Sequence, residues 1–357
     1  MKHQTLIKHD ILTVYLKKWL SILGRPKPDE RRTLYYVDTH AGRGRYHTGE
    51  DGSPIIAMKV GQELAEHYAS QGGVRLVTHN VEIDKSNFAS LETEVKALQP
   101  QCPDVFPNAY FGPVRDHAQS ILEHVPTGAA MLVFIDPFGY DVPMSMVLEF
   151  LRSRKRAEVF ITFMSHFVNR FLGDSGKAAA MNAIYGGEQW RELLNIHVEG
   201  VRQDRAVDLY CDCLQSKLET ALNVRGIVYP INVAHENASA DIYHLIHVSQ
   251  AFKARQAMEE AVERAKLLRT EVQMLVAPKV EQRILELLRM VQRPVPVADL
   301  SRGIWRTSSL RRVSWRSDVR ETIKLLEASG HIQIVGPEGR PHKKGTFVKP
   351  DDLVSLV

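Results

Sequence analysis

Three short stretches end apolar runs in acids, two of them beside glycine or proline, and these are residue types that chemistry on a bound small molecule needs. In YYVDTHAGRGRY, residues 35–46, Asp38 closes an apolar run and is followed by Ala41, Gly42 and Gly44 in an A-G-x-G spacing. A turn without Cβ atoms lets a ligand approach backbone N–H groups, and a carboxylate beside it can hold an ammonium. In VEID, Glu82 ends a second apolar run, where a carboxylate can accept both hydrogen bonds of a ribose diol. In VFIDPFGY, residues 133–140, Asp136 and Pro137 make a stiff turn that presents Phe138. There Asp136 can hold an amine or hydroxyl while Phe138 stacks on a flat ring. Asp84 competes with Glu82, and the bland alternative is that both acids only cap the helix starting near Ser86.

Such acids act together only if strands bring them to one edge. Leu6, Ile7, Ile11, Leu12, Tyr15, Leu16, Trp19, Leu20 and Leu23 recur at helical spacing and predict a first helix that stops at Gly24 and Pro26. After it come LYYVD, the glycine turn, and a helix over IIAMKVGQELAEHYA entered through Ser53-Pro54. Strand and helix patterns then alternate through RLVTHNVEID, KSNFASLETEVKAL, VFPNAYFG, DHAQSILEHV, AAMLVFIDPFG, MSMVLEFLRSR and AEVFITFM. This alternation predicts an α/β fold with a doubly wound parallel sheet, whose ligand lies beyond the carboxyl ends of the strands.

The glycine spacing narrows the ligand. Gly42-Arg43-Gly44-Arg45-Tyr46-His47 lacks the third glycine of a dinucleotide fingerprint, and no phosphate-cradling G-x-x-x-x-G-K-[ST] occurs. An acid followed by A-G-x-G suits a ligand with an amino-acid portion, and S-adenosylmethionine is such a ligand. The expected binding residues are Asp38, Ala41, Gly42, Gly44 and Glu82, with Asp136, Pro137 and Phe138 facing the acceptor.

At this point the chain resembles the class I S-adenosylmethionine methyltransferases, and within them the three-Cys-motif partner proteins of bacteria. The likeness runs through KHDILTVYLKKWLSIL, YVDTHAGRGRY, GSPIIA, VEID, FIDPFGY and the FVNR at 167–170. The family's turn reads close to D-G-F-A-G-x-G-x-Y; Thr39 and His40 stand here in place of the middle pair. The DPFG turn is also similar to the D-P-P-Y turn of adenine N6 methyltransferases, with Phe138 and Gly139 where that motif has proline and an aromatic. The resemblance implies a Rossmann-like methyltransferase fold and a genetic partner with three cysteines.

Late segments say less about chemistry. Residues 171–225 read as an insertion that shapes the substrate entrance, GIVYPINVA and DIYHLIHVS as two late strands forming an antiparallel pair at the sheet edge, and FKARQAMEEAVERAKLLRTEVQML as a charged connecting helix. His235, His244 and His247 have no second ligand at short helical spacing, so no metal is expected. Cys102, Cys211 and Cys213 form no C-x-x-C pair, which favours a reduced, cytoplasmic chain, and neither a signal peptide nor a membrane span is expected.

Charge divides along the chain. Residues 279–357 hold 15 Lys/Arg against 9 Asp/Glu, while residues 1–278 are slightly acidic. The tail reads as three helices and a hairpin, a winged helix, with Arg316 and Arg320 on its third helix and Arg340, Lys343 and Lys344 in the hairpin loop. Those are places where phosphates of DNA or RNA would lie. The expected organisation is a helix over 1–25 packed on the core, a methyltransferase-like domain over 26–252, a connecting helix over 253–278 and the winged helix over 279–357. Two functions fit: a methyltransferase acting on nucleic acid, or a methyltransferase-like binding or regulatory partner of a three-Cys-motif protein in a mobile-element or defence system.

Overall fold

The computed structural model describes residues 3–25, 31–71, 73–137, 139, 142–152, 156–233, 243–267, 280–307, 310–336 and 348–356. Two units divide the chain, one comprising residues 1–226 and 230–270 and the other residues 271–357 with 227–229.

The first unit opens with helix α1 (His3–Leu23), then β1 (Arg32–Asp38), α2 (Ser53–His67), β2 (Val74–Glu82), α3 (Lys85–Leu98), β3 (Val105–Phe111) and α4 (Val114–His124). It continues through β4 (Ala130–Ile135), α5 (Met144–Arg152), β5 (Ala157–Phe163), α6 (Ser165–Phe171), α7 (Ala178–Tyr185), α8 (Glu199–Thr220), β6 (Ile227–Val233, of which residues 230–233 belong to this unit), β7 (Tyr243–Ser249) and α9 (Phe252–Leu267). The sheet order is β3-β2-β1-β4-β5-β7-β6. Strands β1 to β5 pair in parallel, and β7 runs antiparallel to β5. This is a mixed, mostly parallel sheet in an α/β fold, as the alternation of strand and helix patterns predicts. Strands β4 and β5 are buried along their whole length, the state that the unbroken apolar run AMLVFI requires when helices cover both faces, while AEVFITF also takes Glu158 and Thr162 inside.

Strand order reverses beside β1, with β2 on one side and β4 on the other. In register, Asp38 lies opposite Asn80 of β2 and Phe134 of β4. The carboxyl ends of these three strands therefore meet at the switch point of the sheet, the place where open α/β sheets bind ligands.

Helix α1 packs on both α2 and α9, burying Ile11, Leu12, Tyr15, Leu16, Trp19 and Leu20. The sequence pattern reads α9 as part of a connector; its described residues belong to the first unit, and residues 268–279 lie outside the described ones. The two late strands are neighbours at the sheet edge, as expected.

In the second unit come α10 (Val280–Val291), β8 (Val295–Pro296), α11 (Val297–Trp305), a π-helical turn over Trp315–Val319, α12 (Arg320–Ala328), β9 (Ile332–Val335) and β10 (Leu353–Leu356). Its sheet has the order β8-β10-β9, antiparallel throughout. The sequence reading has only a hairpin here, of HIQIV and GTFVKP; β9 covers the first, the second strand lies further along as β10, and residues 337–347 lie outside the described ones. Strand β8 is the addition, two residues ending in Pro296, too short to show a period-2 pattern.

Candidate functional site

The turn after β1 is tied down by backbone donors on both sides. Thr39 N–H and its hydroxyl both donate to the Phe134 carbonyl, at 3.0 and 3.2 Å, which fixes the turn to β4. Ala41 N–H donates to the Val81 carbonyl at 2.9 Å, which fixes it to β2. Gly42 and Gly44 then take φ of 64° and 81°, a region that costs a residue with a Cβ about 1–2 kcal/mol. The two glycines serve different needs. An added Cβ at Gly42 would meet nothing within 4 Å, so its outward face is open, whereas one at Gly44 would lie 3.2 Å from Glu94 Cβ and 3.4 Å from Leu91 Cδ1. Gly44 lets α3 come close; Gly42 leaves room for a ligand.

Glu82 reaches over this turn from the end of β2. Its Oε2 accepts from Gly42 N–H and its Oε1 from Asp84 N–H, each at 2.7 Å. A carboxylate offers about four lone-pair sites, so two are left for a ligand. Asp84 is spent otherwise: it caps α3, accepting from Asn87 N–H and the Ser86 hydroxyl. The capping role suggested for both acids thus falls to Asp84. Ile83, between them, is 63% exposed, and Phe111, the register partner of Glu82, is 51% exposed. Sequence reasoning passed over both, since a single apolar residue at a strand end carries no pattern.

Asp38 is placed differently from an open ammonium site. It is fully buried and accepts from His40 N–H and from the Tyr36 hydroxyl, both at 3.2 Å. Burial pushes its carboxyl up to about 7, and the negative charge of Asp136 adds to the rise, against hydrogen bonds from Ser53 and His40. Asp38 therefore holds the turn from inside.

Asp136 stands just past β4 and forms an ion pair with Lys8 of α1 through its Oδ2. Burial opposes its ionisation, but the Lys8 ammonium outweighs this and holds the carboxyl below its ordinary range. Beside the pair lie His9 and Tyr46, with ring centres 5.8 Å apart. His9 is buried with its Nδ1 unpartnered. Burial, then the charge of Lys8, lower its pKa to about 4, so its ring is neutral near pH 7. Burial, then Asp136 and Asp38, push the Tyr46 hydroxyl up to about 12. The part of α1 in this site is the main residue set that sequence reasoning missed. Lys8 and His9 are polar residues between Ile7 and Ile11 of the apolar stripe, and only the packing of α1 brings Lys8 to Asp136, 128 residues away.

Pro137 and Gly139 border a small pocket of about 20 Å³ beside β5, α6 and α8, lined also by Thr162, Phe163, Met164 and Tyr210. That is the room of one water molecule. The Tyr210 hydroxyl is buried there without a partner. Phe138, Arg340, Lys343 and Lys344 lie outside the described residues, as does the side chain of Arg316. Arg320 is half-buried and pairs with Glu321 at 3.3 Å. Among the described residues no group of three or more His, Cys, Asp or Glu could hold a metal ion, and no helix is long and apolar enough to cross a membrane.

No family model matches the chain, and no curated protein matches it. Among solved structures it is similar to the O-methyltransferase TomG from Streptomyces achromogenes in complex with SAM, at 16% identity over 70% of this chain and 91% of that one, TM-score 0.35. It is also similar to an rRNA methylase from Streptococcus thermophilus, at 10% identity over 70% of this chain and 98% of that one, TM-score 0.31. A third is loganic acid methyltransferase with SAH, at 10% identity over 74% and 81% of the two chains, TM-score 0.36. Likenesses this distant leave the site to be read from its own geometry.

Proposed function

We propose that the chain is an S-adenosylmethionine-dependent methyltransferase acting on nucleic acid, with the second unit assisting substrate binding as a winged helix. The observation that carries this reading is the open glycine turn at the switch point, held by a strand-end carboxylate with spare lone pairs. Gly42 offers an uncovered face, Glu82 offers acceptors for a ribose diol, and exposed Ile83 next to it offers an apolar wall for a flat ring. Ala41, Gly42 and Gly44 shape the floor, and Asp38 keeps the turn folded from beneath. The residues fit the ligand. When bound, S-adenosylmethionine supplies a methyl group already activated by its sulfonium, so the protein's task is alignment of the acceptor. Asp136, Pro137 and Phe138 are the proposed acceptor side, at the carboxyl end of β4 beside the same turn.

A second reading, a binding or regulatory partner of a three-Cys-motif protein, is favoured by one observation: the Asp136 carboxylate is already engaged by Lys8. Transfer of labelled methyl groups to total cellular nucleic acid and protein separates the two. The enzyme reading expects labelled nucleic acid with wild type and loss of label with Asp136→Ala while S-adenosylmethionine still binds. Absence of label in both fractions, even with the genetic partner supplied, leaves the partner reading in its place.

A further inference from the structure

Lys8 and His9 are buried polar residues of α1 beside Asp136, just past the end of β4. The side chain of Lys8 is 9% exposed and that of Asp136 18%, and the ammonium lies 6.0 Å from the centre of the Phe134 ring. Two carboxylates, Asp38 and Asp136, share this small space and repel each other. The Lys8 ammonium faces Asp136. The cations on the glycine turn are directed elsewhere: Arg43 contacts His47, and Arg45 pairs with Asp51 at 2.9 Å and Glu94 at 3.1 Å.

A lysine ammonium has three donors, and Lys8 spends one of them on Asp136. Next to it the Nδ1 of His9 is buried without a hydrogen-bond partner, a state that buried polar atoms rarely keep unless a ligand completes them. The amino-acid tail of S-adenosylmethionine carries one ammonium and one carboxylate. Its carboxylate, placed against Asp38 or Asp136 without a cation, would be repelled.

We propose that Lys8 binds the α-carboxylate of the S-adenosylmethionine tail, bridging it to Asp136, with His9 Nδ1 as the neighbouring hydrogen-bond group. The proposal rests on the cofactor reading above and adds to it a residue outside the glycine turn. It makes α1 part of the binding site, and it gives the Lys8–Asp136 pair a ligand-directed purpose beyond joining α1 to β4. Asp136 then acts in two directions, holding Lys8 on one side and facing the acceptor on the other.

Calorimetric titration of the full chain with S-adenosylmethionine and with its decarboxylated analogue tests this, because the analogue keeps the sulfonium and the amine and lacks only the carboxylate. Wild type is expected to prefer the carboxylated ligand by about 10- to 100-fold, the range of a charged hydrogen-bond pair. In Lys8→Met that preference falls to within about threefold, mainly through weaker binding of the carboxylated ligand. Lys8→Arg keeps most of it. Since Lys8→Met leaves Asp136 buried without its cation, the double variant Lys8→Met/Asp136→Asn, which removes both charges, serves as the folded control, with a thermal melt alongside. A preference for S-adenosylmethionine that survives in both Met variants overturns the role of Lys8 and leaves the cofactor reading standing. Binding of neither ligand by wild type overturns the cofactor reading and the proposal with it.

Discussion

Glu82 and Asp38 show how the same functional group behaves differently when its surroundings change. Glu82 accepts two backbone N–H bonds at a strand end and keeps capacity for a ligand. Glu82→Ala is therefore expected to weaken S-adenosylmethionine binding by about 1–3 kcal/mol, the value of hydrogen bonds to a buried charged group. Titration calorimetry reads this directly, and equal affinity in the variant removes Glu82 from the ribose. Asp38 is enclosed, with its carboxyl raised to about 7 from an ordinary 3.8. Because the folded-state value is the higher one, its contribution to stability is complete below about pH 4 and is lost as pH rises through about 7. The loss amounts to up to about 4 kcal/mol. His9, lowered to about 4 by burial, acts in the opposite sense, its contribution falling away below pH 6.5. The Asp38 effect must thus be read as a difference. Urea denaturation from pH 4 to pH 8 is expected to show wild type losing stability relative to Asp38→Asn over that window. Parallel curves for the two proteins contradict the assignment.

Helix α1 has two jobs at the element scale. Its middle is held by a buried network in which the Tyr15 hydroxyl donates to Glu158 of β5, and His247 of β7 lies 3.0 Å from both the hydroxyl and the Glu158 carboxylate. Burial, then the negative Glu158, raise the Tyr15 pKa far above its ordinary value, so the hydroxyl keeps its proton and remains a donor. Tyr15→Phe leaves Glu158 and His247 in place with one bond fewer. The expected cost is about 1–3 kcal/mol of stability, seen as a lower midpoint with an unchanged m-value. If α1 also carries Lys8 into the site, loosening it should weaken S-adenosylmethionine binding in the same variant. A stability loss with full affinity retained separates the two jobs.

Across the whole molecule the charge is uneven, with a basic tail after a slightly acidic first part. Nucleic acid bound through the tail should release counterions. If about four of Arg316, Arg320, Arg340, Lys343 and Lys344 neutralise phosphates, log affinity of the full chain falls with log salt at a slope of roughly −3 to −4. Lys343→Glu/Lys344→Glu is expected to flatten that slope. A variant with the wild-type slope places the polyanion elsewhere, and no affinity at low salt favours protein docking by the tail.

Much of the sheet and of the glycine turn was legible in the chain. Unbroken apolar runs such as AMLVFI need burial on both faces, and the alternation with helical patterns specifies parallel neighbours. Positive φ at Gly42 and Gly44 follows from the residue type at a tight turn, and the placement of Glu82 beside it follows from strand order. Local pattern could not decide what depends on distant partners. Lys8 and Asp136 are far apart in sequence, and no spacing rule joins a helix's first turns to a strand end across the sheet. Asp38 and Glu82 look alike as strand-end acids; only packing encloses the first completely and leaves the second, also buried, with acceptor capacity to spare. Sequence periodicity thus determined the elements and their order, while tertiary packing decided which charges meet, because the energy of a charge depends on its surroundings in space.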